Sequence, residues 1–168
     1  MSISMYDAAV PVFTRMLGML STLLTKAEAF AAEKNIPAAD LLEARLAPNM
    51  FTLTRQIQAA CDAAKFGVAR PSGVTPPSDP DTETTVAELQ ARIAKTKAFI
   101  AGVDTTAFEG AESRPVTLKT SGGEMPFTGK DYLLAFALPN FFFHAVTAYD
   151  ILRHKGLSLE KKDYLALR

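Results

Sequence analysis

YLLAFALPNFFFHAVTAY, from Tyr132 to Tyr149, is a run of 18 residues without a charge, and its reading decides the fold. It approaches the roughly 20 apolar residues that cross a bilayer. Yet it contains Pro139, Asn140, His144 and Thr147, and Asp131 and Asp150 close its ends. A single span in lipid offers Asn140 and His144 no polar partner. A helix apolar on all sides is instead the ordinary core element of a helical bundle. The run is therefore read as a bundle helix, and no membrane is expected as a partner.

Upstream of this run the period changes from helical to two. Val116 and Leu118 alternate with polar neighbours, Ser121-Gly-Gly123 makes a turn, and Met125 and Phe127 alternate again. That pattern predicts a short β-hairpin lying on the helices, because two strands alone are marginal. Thr128 is placed to N-cap the last long helix, which should bend near Pro139 and run to about His154 before Gly156. Arg153, His154 and Lys155 set positive charge against the negative end of its dipole.

Toward the N-terminus, Ala9, Val12, Met16, Leu20, Leu23, Ala27 and Phe30 fall at spacings of three and four. They predict one face of a first long helix beginning between Ser4 and Asp7. Pro37 opens a short helix ending near Leu46. A second long helix, about Met50 to Ala69, carries Leu53, Ile57, Ala60, Cys61, Ala64 and Val68 on one stripe. Gln58, Asp62 and Lys65 form its polar flank. Four prolines between Arg70 and Asp81 predict an extended, non-helical crossover. The capping box Thr85-Val-Ala-Glu88 opens a third long helix, with Val86, Leu89, Ile93 and Ile100 as its buried stripe and Gly102 at its end. The expected fold is all-α, a single domain over residues 1–168. It is a four-helix bundle with a short helix between the first two long helices and a small β-hairpin before the last. The Phe-rich helix is expected to be its most enclosed element.

Composition narrows the function classes. Of 168 residues, 18 are Lys or Arg and 18 are Asp or Glu, for a formal charge of zero. A nucleic-acid partner normally demands a basic excess, so none is expected. One cysteine allows no intrachain disulfide and fits a reducing, cytoplasmic setting. Two histidines cannot build a three-histidine site.

Asn140 and His144 stand four residues apart, about 40° on a helix, and both should project into the bundle. A buried amide or imidazole without a partner costs about 1–3 kcal/mol. Gln58 and Asp62 are the best-placed suppliers, so the candidate binding set is His144, Asn140, Asp62 and Gln58. A divalent metal such as zinc or nickel would use His144 and Asp62, with Gln58 and Asn140 as weak ligands. A histidine that lines a core or pocket without any cofactor is the simpler expectation. Cys61 sits on the apolar stripe, where a thiol is an inert filler.

The blocks Ala47-Pro-Asn-Met-Phe51, Gln56 to Lys65, Thr82 to Leu89, Phe127-Thr-Gly-Lys-Asp-Tyr-Leu-Leu134, Pro139-Asn-Phe-Phe-Phe-His144 and Ile151-Leu-Arg-His-Lys-Gly156 resemble a bacterial domain-of-unknown-function family. That family is allied to the DinB/YfiT-like metalloenzyme superfamily. The resemblance implies a DinB-like four-helix bundle, often a homodimer. Complete members of the superfamily bind a divalent metal through three histidines and include thiol-dependent transferases and isomerases. By that resemblance His144 matches the second histidine of the pair on the last helix, and Asn140 takes the place of the first. No histidine stands on the second helix, where Gln58 or Asp62 is nearest. Three readings follow: a degenerate metal-site pocket that binds a small molecule, a metal-dependent thiol transferase or isomerase, and a non-catalytic structural or partner-binding homodimer.

Overall fold

The computed structural model describes residues 3–120 and 122–166. Ser4 and Asp7 form a reciprocal capping box that starts α1 (Met5–Lys34). Pro11 lies inside this helix, and Asn35 ends it in the left-handed region, where an asparagine is tolerated. α2 (Ala38–Leu42) is shorter than the sequence suggests, and Pro37 serves as its N-cap. Thr52 caps α3 (Leu53–Ser72) by accepting from the Arg55 amide.

α3 runs on through Arg70 and Pro71, against the expectation of an extended chain from residue 70. In a last turn a proline's ring angle is already helical and only one hydrogen bond is lost. The Arg114 guanidinium also donates to the Pro71 carbonyl, satisfying one of the exposed helix-end acceptors. Gly73, with φ +76°, then closes the helix. The crossover proper spans residues 73–85, and the predicted capping box of Thr85 and Glu88 opens α4 (Val86–Ala101).

A 3-10 turn (Thr105–Phe108) leads to the hairpin of β1 (Pro115–Thr120) and β2 (Gly123–Thr128). The strands pair antiparallel with Val116 opposite Phe127 and Leu118 opposite Met125. Ser121, part of the expected turn, lies outside the described residues. Val116 and Leu118 face inward, but Met125 is exposed, so the hairpin rests on the body mainly through β1 and Phe127. Thr128 caps the last long helix (Gly129–His154). A Cβ on Gly129 would overlap the Ala111 carbonyl oxygen, so only glycine fits where this helix begins.

The last helix contains α5 (Gly129–Asp131), a π-helical segment (Tyr132–Ala137) and α6 (Leu138–His154). Pro139 has no N–H for the Ala135 carbonyl, and its ring crowds that carbonyl. The helix answers by widening, with the Leu138 amide bonded to Leu133 one residue further back than in an α-helix. The sequence predicts a bend here; the observed feature is this wider turn. A four-residue helix, α7 (Lys161–Tyr164), closes the described chain and was not expected.

The most enclosed helix is α3, with 15 of its 20 residues buried. The Phe-rich helix is not: Phe141 is fully buried, Phe142 is half-buried and Phe143 is 57% exposed. Small residues explain the difference, because Ala60, Ala63, Ala64 and Gly67 let neighbouring helices close on α3. A Cβ at Gly67 would come within 2.7 Å of the Phe13 ring of α1 and 3.3 Å of Ala137. α1 and the last helix are each long and apolar enough to cross a membrane, by length and composition alone. Half of each apolar window is buried within the bundle.

Candidate functional site

α3 and the last helix run antiparallel, so Arg70 meets Tyr132 at one end and Gln56 meets His144 at the other. Between them lies a cavity of about 200 Å³ lined by Arg55, Asp62, Phe66, Arg70, Tyr132, Phe136, Asn140 and His144, with alanines completing the wall. Three of the four residues singled out from the sequence therefore share one cavity: Asp62, Asn140 and His144. Gln58 does not join them. It is buried on the crossover side, where it donates to Glu83 at 2.9 Å and accepts from Arg55 at 3.2 Å.

His144 takes its partner from Gln56 instead, with 2.7 Å between Nδ1 and Oε1. The Gln56 amide nitrogen donates to the Phe51 carbonyl, which turns Oε1 toward the imidazole. An acceptor at that position assigns the proton to Nδ1 and leaves Nε2 as an acceptor. The ring stacks on Phe51 at 6.2 Å, and Phe51 in turn lies under the Arg55 guanidinium. Burial, and then the positive charge of Arg55, hold His144 below the usual imidazole range, so the ring is neutral near pH 7. Gln56 was legible in principle: it falls three residues after Leu53 and four before Ala60, inside the apolar stripe. A glutamine in that position must face a polar partner on another element.

Asp62 has its charge largely committed. Its Oδ1 lies 3.0 Å from both Lys65 and Arg92. Arg92 also meets Asp81 and Glu83, and Lys65 meets Asp79 at 2.7 Å. Burial presses the Lys65 ammonium down, but the hydrogen bonds it donates to Asp79 and Asp62 outweigh it and hold the group above its ordinary value. Burial likewise opposes the Asp79 charge, and Lys65 and Lys95 outweigh it and hold the carboxyl below the carboxylate range. The crossover is thereby fastened to α3 and α4 by charge.

Tyr132 and Arg70 close the other end of the cavity. Arg70 Nη1 donates to the Tyr132 hydroxyl at 2.6 Å, and the guanidinium lies 4.6 Å from the Phe66 ring centre and 5.2 Å from that of Tyr132. Phe127 of β2 packs on Tyr132 and Phe136, which places the hairpin behind this aromatic wall. Cys61 stands apart: it is buried beside Thr96, and burial pushes its thiol up to about 12, so it is no nucleophile.

The donor set can be weighed against a divalent metal. The cavity offers one imidazole, one amide and one carboxylate already shared by two cations, while two guanidinium groups line the same wall. Among the described residues no three His, Cys, Asp or Glu side chains converge to hold an ion. These residues do not fit a zinc or nickel centre, which asks for three or four N, S or O ligands with room for positive charge.

A DinB-like bundle with a polar cavity between its second and last long helices is the class that fold and site define. The family model for a domain of unknown function, DUF1993, matches residues 5–165, and the chain belongs to that family. Among solved structures, a DinB family member protein from Shewanella denitrificans is 43% identical to it. That match covers 95% of this chain and 90% of the other, with a TM-score of 0.90. No curated protein matches the sequence.

Proposed function

We propose that this chain is a small-molecule-binding DinB-like protein whose cavity has lost the metal chemistry of its wider superfamily. One observation carries the reading. Asp62, Asn140 and His144 line a single cavity, but Asp62 is neutralised by Lys65 and Arg92, and His144 is a neutral ring fixed by Gln56. What remains is a set of hydrogen-bonding groups between aromatic walls, which is how small-ligand pockets are built. The Asn140 amide has no protein partner among the described residues, so its donor and acceptor are available to a ligand.

Elemental analysis of protein purified without a metal-affinity tag, paired with an NMR fragment screen, tests this reading. The expected result is no stoichiometric metal and a thermal transition unmoved by chelator. Fragments should shift the side-chain signals of Asn140 and His144. Stoichiometric zinc or nickel, lost on His144→Ala, would overturn the proposal in favour of a metal-dependent transferase. A cavity that no fragment enters would favour the purely structural homodimer.

A further inference from the structure

Charge bookkeeping around the cavity leaves one group over. Arg55 is paired with Asp81, and Asp62 with Lys65 and Arg92. His144 is neutral and Tyr132 is un-ionised near pH 7, burial pushing its phenol up. Of the two guanidinium groups that line the cavity, Arg70 has no carboxylate within 4.0 Å among the described residues; its side chain's one hydrogen bond is to the Tyr132 hydroxyl. A guanidinium carries five N–H donors, and here Nε and Nη2 make no bond to the described protein. The group is nevertheless held in place by the Phe66 and Tyr132 rings.

Arg70 also sits in the last turn of α3, where a cation suits the helix dipole. That role would turn the guanidinium toward the carbonyls at the helix end. Instead it reaches across to the last helix, and Arg114 takes the Pro71 carbonyl. A fixed planar guanidinium with free edge donors is suited to bidentate recognition of a carboxylate or phosphate. At about 30 Å³ for each water, the roughly 200 Å³ cavity equals about seven waters, enough for a ligand of one ring.

We propose that the cavity takes a small organic anion, its acidic group held by Arg70 and its apolar body laid against Phe66 and Phe136. This rests on the reading of the cavity as a ligand pocket. Benzoate and its neutral isostere benzamide are the probes, titrated into the full chain by NMR. Benzoate is expected to bind at least tenfold more tightly than benzamide while shifting Arg70 and His144 side-chain signals. Arg70→Gln should remove that preference. Because this change also strands the Tyr132 hydroxyl, Tyr132→Phe is the second variant: it keeps the cation, and the benzoate preference should survive. A preference that persists in Arg70→Gln, or disappears in Tyr132→Phe, overturns the assignment. Equal affinities in the unaltered protein, with His144 shifted by both probes, overturn the anion and leave the pocket standing. No shift from either probe overturns both.

Discussion

On the crossover side of α3, Lys65 and Arg92 are buried among Asp62, Asp79, Asp81 and Glu83, and each carboxylate has a cation at hydrogen-bonding distance. On the side facing the last helix, Arg70 has a hydroxyl where a carboxylate would complete it, and Asn140 has no protein partner among the described residues. Both regions bring polar groups to the same helix; in the first every carboxylate is paired and Arg92 Nε is left over, while in the second a guanidinium edge and an amide stay open. Burying charge is tolerable when every charge is paired, so the first arrangement is a fastening. A region whose donors stay open and whose walls are aromatic is arranged to be completed by something else. Asp62 belongs to both: its carboxylate edges the cavity while its charge is spent on the fastening.

The largest blow to this contrast should come from Arg92→Met. It takes from the half-buried Glu83 its cation and from Asp62 one of two, and chemical denaturation should read a loss of about 3 kcal/mol. Asp79→Asn should cost about 2 kcal/mol, since Lys65 keeps Asp62 as a partner. That difference has a defined pH course. Asp79 titrates below 3.8 in the folded protein, so its contribution is complete above 3.8 and disappears as pH falls through the folded value. Denaturation curves of the two proteins should therefore converge in strong acid; curves that stay apart would deny the ion pairs their role.

Gln56→Leu acts on the open side and should cost about 1 kcal/mol by thermal or chemical denaturation, because His144 Nδ1–H loses its acceptor. The smallest effect is the titration of His144 itself. Its folded value lies below 6.5, so the stability it contributes is present above 6.5 and is lost as pH falls from there through the folded value. An imidazole NMR titration should place the midpoint below 6.5. A midpoint above it would mean that a negative charge acts on the ring, as it would if the Asp62 carboxylate were not committed to Lys65 and Arg92. The two sides of α3 thus separate on the pH axis, the histidine below 6.5 and Asp79 below 3.8.

Much of the fold was legible because it rests on local signals. Ser4, Thr85 and Thr128 mark helix starts by side-chain geometry, and the alternation at Val116 and Leu118 marks the hairpin. What escaped depends on partners distant in sequence. Pro71 stays helical because Arg114 caps its carbonyl from 43 residues away. Phe143 is exposed although its neighbours suggest a core, because α3, lined with small residues, is the element the others enclose. At the site, Asn140 and His144 both line the cavity, but the sequence points to the polar flank for their partner, whereas Gln56, about 200° from Gln58 on α3, lies in the apolar stripe and bonds His144. Arg55 and Arg70 look like ordinary surface charges until the aromatic rings around them are seen.

The widened turn at Tyr132–Ala137 has a consequence for the chain's length as well as its shape. A π-turn holds one residue more than an α-turn, so the last helix carries a phase slip of about 100° between its two parts. Asn140 and His144 are read on one side of that slip and Tyr132 on the other. Deleting the exposed Ala135 together with Pro139→Ala would restore an unbroken α-helical phase and swing Tyr132 away from Arg70, with Asn140 and His144 unmoved. One residue of length and one proline thus decide whether both ends of the cavity open onto the same wall.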